Sequence, residues 1–279
     1  MQKSPEHGVV MSRRSALGVT AGALASVFCT GCGLLDTLRP DLSPSSQNKP
    51  DMPVISDKTG SQADETAQDF VKMLKAGEVG SVMVLGDSIT AGYMCDGYGP
   101  TTDRLIYAGP YGEFYESSPE VKCWTNEFRS YLAEKGVTNF VNAGICGAKM
   151  RWIAESDTAW IREQADVIFV MLGTNDAIYH TMEEFRDYAD TALQLVAQNC
   201  KLMVVIAPPE NDWEQYAKRM SQTEVETLLR GITENHGWNF TSVLNSVTVY
   251  TDDFNDDQCH PTTKGSYAIW EYLKAHLGL

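Results

Sequence analysis

Short apolar runs alternate with long amphipathic stretches between residues 65 and 279, and this alternation constrains the fold more than any other feature of the chain. SVMVLG (81–86), NFVNAG (139–144), DVIFVMLG (166–173), KLMVVIAPP (201–209) and WNFTSVLN (238–245) read as strands. Their near-continuous apolarity marks strands buried on both faces, as in a parallel sheet covered by helices. Helices are expected over 65–78, 124–136, about 151–164, 182–199, 214–237 and 263–278, where apolar residues recur at helical spacing. The order predicts one doubly wound α/β domain over residues 66–279, with no internal repeat. In such a sheet, ligands bind at the carboxyl ends of the strands, so chemistry is to be sought in the loops that follow each run.

The first 32 residues have a different character. Arg13 and Arg14 precede a weakly apolar run, Ala16 to Phe28, and then small residues and cysteine, the layout of an export signal. Ser12-Arg13-Arg14 resembles a twin-arginine signal. Thr30-Gly31-Cys32 resembles the end of a bacterial lipobox, which implies lipidation at Cys32 and a membrane anchor. Ala23-Leu24-Ala25 offers a competing cleavage site without lipid. Residues 33–65 are rich in Pro, Ser and Asp and poor in apolar residues, so they read as a flexible tether. The expectation is an exported protein, held at the cell surface by its lipid or else secreted. The formal charge of −15, from 22 basic and 37 acidic residues, disfavours nucleic acid and anionic lipid as charge-driven partners.

Polar clusters follow four of the five runs: Gly86-Asp87-Ser88-Ile89-Thr90, Asn142-Ala143-Gly144-Ile145-Cys146-Gly147, Gly173-Thr174-Asn175-Asp176 and Asp257-Gln258-Cys259-His260-Pro261. Singly, each is ordinary turn chemistry. Together they supply what acyl transfer needs. Ser88 provides a hydroxyl, His260 a base to take its proton, and Asp257 a carboxylate to orient the imidazole. A spacing of three residues lets one turn present Asp257 and His260 on the same side. The backbone N–H groups of Ser88 and Gly147 and the Asn175 amide are candidates for an oxyanion hole.

With these blocks in this order, the chain resembles the SGNH hydrolases, the GDSL-type esterases and lipases, over about residues 79–279. The resemblance implies a flavodoxin-like α/β/α sandwich with a five-stranded parallel sheet in the order 2-1-3-4-5. It implies Ser88 as nucleophile, Asp257 and His260 as its partners, and Ser88, Gly147 and Asn175 as oxyanion donors, with Gly144 left to the turn. It also implies neither metal nor cofactor, and no Cys/His spacing in the chain reads as a zinc site.

Five cysteines remain beyond the export signal. Cys95 and Cys123 bracket a long insertion after the nucleophile block, which in an exported protein suggests a disulfide. Cys146 and Cys259 are expected to pack. The insertion carries Tyr98, Tyr107, Tyr111, Phe114 and Tyr115; these either form a lip over Ser88 or anchor the loop to the body. The leading functional reading is a serine esterase acting on short acyl groups of carbohydrate or cell-envelope esters. The alternatives are a non-catalytic, surface-anchored carbohydrate-binding protein, an O-acyltransferase and a lysophospholipase-type lipid esterase.

Overall fold

The computed structural model describes residues 68–156, 159–160, 165–213 and 216–279. The predicted export signal and tether, with Cys32, lie outside the described residues. Among the described residues seven strands are formed: β1 (Ser81–Gly86), β2 (Thr101–Gly109), β3 (Gly112–Ser117), β4 (Asn139–Gly144), β5 (Val167–Met171), β6 (Leu202–Ala207) and β7 (Asn239–Ser242). Five of them make one parallel sheet in the order β4-β1-β5-β6-β7. Counting that sheet's strands alone, the order is 2-1-3-4-5, as the resemblance implied. Eight helices are described: α1 (Gln68–Ala76), α2 (Ser88–Ala91), α3 (Trp124–Glu134), α4 (Met150–Glu155), α5 (Asp176–Tyr179), α6 (Met182–Ala197), α7 (Gln222–His236) and α8 (Thr263–Leu277).

Successive side chains of a strand face opposite ways, and β1 feeds two separate cores. Met83 and Leu85 join the cluster built with Trp152 of α4, Phe185 and Leu193 of α6 and Leu229 of α7. Val82 and Val84 join Phe70 of α1, Phe128 of α3 and Trp270 of α8. Every residue of β1 and β5 is buried. Each large apolar side chain withdrawn from water contributes roughly 1.5–3 kcal/mol, so the two faces together hold the sandwich.

The helices start where their first turns are capped. Thr181 with Glu184 and Ser221 with Glu224 form capping boxes at α6 and α7. The second box explains why α7 begins at Gln222, later than the helix expected from residue 214. The helix expected over about 151–164 is described only as α4; Trp160 instead forms an isolated antiparallel bridge with Tyr107.

The insertion after the nucleophile block is an antiparallel hairpin, β2–β3, which the apolar pattern did not show. Tyr107 is fully buried against Trp152 and Trp160, while Tyr111 stacks on Trp152 at 4.2 Å. Phe114 packs there too, so these three aromatics anchor the insertion. The buried Glu116 ties the hairpin to the sheet. Its Oε1 accepts the N–H of Asn142 on the edge strand β4 at 2.9 Å and pairs with Arg129 at 2.5 Å. A backbone donor of β4 that faces no further strand is thereby satisfied.

The disulfide expected between Cys95 and Cys123 is not formed. Both are buried free thiols packed with Val121. Cys95 Sγ is directed at the carbonyl of Pro261, 3.7 Å away, while Cys123 lies against Gly92. Burial pushes the two thiols up to about 12 and about 11, which keeps them protonated and unreactive. Cys259 is fully buried beside Ile178 and Trp213, the packing role expected of it.

Candidate active site

β1 ends at Gly86, and the chain turns at once into the single-turn helix α2. Asp87 caps that helix, its Oδ1 accepting the N–H of Ile89 at 3.0 Å. Ser88 is the first residue of α2, so its own N–H has no acceptor inside the helix. The close fit of α2 on β4 depends on Gly144, where a Cβ would lie 2.3 Å from the backbone nitrogen of Ala91. Gly147 has φ of +80°, a conformation that a side chain would strain. The two glycines of the second block therefore do different work: Gly144 allows the approach, and Gly147 turns the loop.

Ser88 and His260 are 172 residues apart in sequence and meet here: Ser88 Oγ lies 2.9 Å from His260 Nε2. On the far side of the ring, His260 Nδ1 lies 2.5 Å from Asp257 Oδ2. Asp257 Oδ1 accepts the backbone N–H groups of Cys259 and His260, both at 3.0 Å. Pairing with the carboxylate assigns the proton to Nδ1 and leaves the Nε2 lone pair for the serine hydroxyl. Burial by itself would raise the Asp257 pKa. The hydrogen bond and charge of His260, with the two backbone N–H groups, outweigh it and hold the carboxyl below its usual range.

The segment carrying this pair is braced by residues that the sequence did not single out. Asn255 donates its backbone N–H and its Nδ2 to the carbonyl of His260, each at 2.9 Å, and Nδ2 also reaches the carbonyl of Pro261 at 3.1 Å. Gln258 adopts φ of +53°. Its carbonyl accepts the N–H of Asp212 at 2.8 Å, and its Oε1 accepts the N–H of Tyr250 at 2.6 Å. An Asn two residues before Asp257 is the one signal in the sequence that points to this brace, because Asn readily hydrogen-bonds nearby backbone.

Aromatic rings enclose the imidazole. Tyr93 meets it edge-on at 4.7 Å and Trp213 at 5.4 Å. Tyr98 of the insertion packs on Tyr93 at 5.2 Å and meets Cys146 Sγ through its hydroxyl at 3.2 Å. Among the insertion's five aromatics, Tyr98 alone is placed by these contacts beside the site.

The third block lies alongside. Asn175 is 1% exposed, and one N–H of its amide donates to the carbonyl of Ala148 at 3.2 Å. That bond fixes the amide against the second block and leaves its other N–H hydrogen for a ligand. Asp87, directly before Ser88, is fully buried. Burial drives its pKa up to about 6, against the opposing pull of the Ile89 N–H and the charge of His260. Among the described residues no group of three or more His, Cys, Asp or Glu is arranged to hold a metal ion.

A parallel α/β sandwich with a Ser–His–Asp chain on the carboxyl edge of its sheet defines a class, the serine-dependent hydrolases. The chain belongs to the GDSL-like Lipase/Acylhydrolase family, whose model matches residues 84–268, and it is a hydrolase acting on ester bonds. No curated protein matches it. Among solved structures it is similar to a mutant of Axe2, an acetyl-xylooligosaccharide esterase from Geobacillus stearothermophilus. The TM-score is 0.54 at 17% identity, with 72% of this chain and 96% of that chain covered. It is also similar to LAE5, an α/β hydrolase enzyme from the metagenome of Lake Arreo in Spain, with TM-score 0.54, 19% identity and 71% and 95% of the two chains covered. Solved catalytic mutants of Axe2 replace a serine, a histidine and an aspartate.

Proposed function

We propose that the protein is a serine esterase that removes short acyl groups from carbohydrate esters through an acyl-enzyme on Ser88. The unbroken hydrogen-bonded chain from Ser88 through His260 to Asp257 carries this reading. Ser88 Oγ attacks the ester carbonyl as its proton passes to His260 Nε2, and Asp257 steadies the imidazolium. The oxyanion that forms is received by the backbone N–H of Ser88, that of Gly147 and the amide of Asn175. Collapse of the tetrahedral adduct expels the sugar hydroxyl, which takes the proton from His260. Water then enters by the same route in reverse and frees the acid.

The small acyl group is suggested by enclosure. Ser88 is 6% exposed, and His260, flanked by Tyr93 and Trp213, is 4% exposed. The sugar is suggested by the acetyl-xylooligosaccharide specificity named for the structural relative Axe2.

The test is hydrolysis of p-nitrophenyl acetate, longer-chain esters and an acetylated oligosaccharide by the full chain, beside Ser88→Ala. The expected result is activity that falls as the acyl chain lengthens and disappears in the variant, with a fluorophosphonate attached at Ser88 by mass spectrometry. Equal rates for the two proteins would refute the serine mechanism, and a preference for long-chain esters would refute the short acyl group.

A further inference from the structure

A second aspartate–histidine pair lies on the same edge of the sheet, and the reaction steps above make no use of it. Asp176 has no exposed surface, and the His180 side chain is 6% exposed. Asp176 Oδ1 lies 3.1 Å from His180 Nδ1. Both oxygens of the Asp176 carboxylate also accept the backbone N–H of Met150, each at 3.2 Å. The neighbouring residue, Asn175, grips Ala148 in the same way through its amide. Two consecutive residues of the third block therefore hold the backbone of the second at residues 148 and 150, directly after Gly147. The histidine end is seated as well: its ring packs on Tyr188 at 5.0 Å, and its backbone N–H returns to the carbonyl of Asp176 at 2.9 Å.

A fully buried carboxylate with a single amide N–H as its only donor would be poorly compensated. The Nδ1–H of His180 supplies a second donor and thereby fixes where the carboxylate points. We propose that Asp176 and His180 are positioning residues for the oxyanion hole, setting the spacing between the Gly147 N–H and the Asn175 amide. The proposal rests on the esterase reading, since the hole has a function only if an oxyanion forms there. With Nδ1 engaged by Asp176, His180 acts through the carboxylate that holds the Met150 backbone.

The experiment compares wild type with His180→Leu, which removes the donor, and His180→Asn, whose amide restores one near the position of Nδ1. Hydrolysis of p-nitrophenyl acetate is measured with inhibition by an alkylboronic acid, which forms a tetrahedral adduct on serine and places an oxygen in the hole. His180→Leu is expected to lower kcat about tenfold while KM changes less than twofold, because small displacements in a site of this kind cost rate before binding. The boronate inhibition constant should rise in proportion, and His180→Asn should recover most of both losses. Unchanged kcat in folded His180→Leu would overturn the proposal, as would a loss of kcat with no weakening of the boronate or with no recovery in His180→Asn. If His180→Leu does not fold, His180→Gln, whose amide lies one methylene beyond the Nδ1 position and leaves the Asp176 carboxylate without that donor, is expected to show the same losses. A wild type with no Ser88-dependent hydrolysis would instead overturn the esterase reading itself, and the positioning role with it.

Discussion

Asp257 and Asp176 each engage the Nδ1 of a histidine one turn further along the chain, at 2.5 Å and 3.1 Å. The two pairs share an edge of the sheet, yet differ in every neighbour that matters. The Asp257 side chain is 18% exposed and its histidine presents Nε2 to a serine hydroxyl; Asp176 is sealed off, and its carboxylate grips the backbone of Met150. One pair is placed to move a proton in the proposed reaction, and the other is bound to the backbone of the neighbouring loop. The lesson is that an aspartate and a histidine at short spacing do not define a role; what faces the second ring nitrogen and the second carboxylate oxygen does.

The largest effect that can break this contrast is at Asp257. Asp257→Asn should keep the loop's shape but favour the wrong tautomer of His260, lowering kcat by about 10⁴. The same change at Asp176 should cost at least a hundredfold less, as read from kcat on p-nitrophenyl acetate; equal losses would mean that both pairs belong to one relay. Next comes the hole that the second pair is proposed to set. Asn175→Ala should lower kcat by about 10² to 10³ with the fold retained in circular dichroism. A loss below fivefold would take Asn175 out of the hole and remove the purpose assigned to Asp176. The effect expected at His180 is smaller still.

The smallest effect concerns stability, at the fully buried carboxyl of Asp87. Asp87 has its folded pKa raised to about 6, so in acid the folded state keeps a proton that the unfolded chain releases near pH 4. The contribution of Asp87 to stability therefore falls as pH rises from about 4 to about 6 and stays reduced above that. Asp87→Asn keeps an acceptor for the Ile89 N–H but carries no charge. It should stabilise the protein by about 2–3 kcal/mol at pH 8, with the gain vanishing toward pH 4. Urea midpoints at the two pH values check this, and a gain independent of pH would show that the charge of Asp87 is not the cause.

Much of this was legible in the sequence because it depends on local pattern. Strands buried on both faces write themselves as apolar runs, and β1 and β4 fall where SVMVLG and NFVNAG placed them. The Ser88, Asp257 and His260 blocks were legible because a parallel sheet delivers the end of every strand to one edge. The brace at Asn255 and the Asp176–His180 pair were not, since their meaning lies in which backbone groups they meet. The hairpin was hidden for a related reason. β2 and β3 lean on Trp152 and Trp160 instead of entering the main sheet, so their apolar residues do not alternate cleanly. The Cys95–Cys123 bracketing misled because both residues fill a small apolar cluster as free thiols, with Cys95 Sγ directed at the Pro261 carbonyl.

The place of β1 in the sheet has a further consequence. It lies between β4 and β5 and hydrogen-bonds to both, whereas β2 and β3 form a separate two-stranded sheet. Amide protons of such an interior strand exchange with solvent only when the sheet as a whole comes apart, while a two-stranded ribbon on the surface opens separately. Warming the molecule should therefore loosen the hairpin well before Ser88 leaves the end of its strand, so that the hairpin's amide protons exchange while those of β1 stay protected.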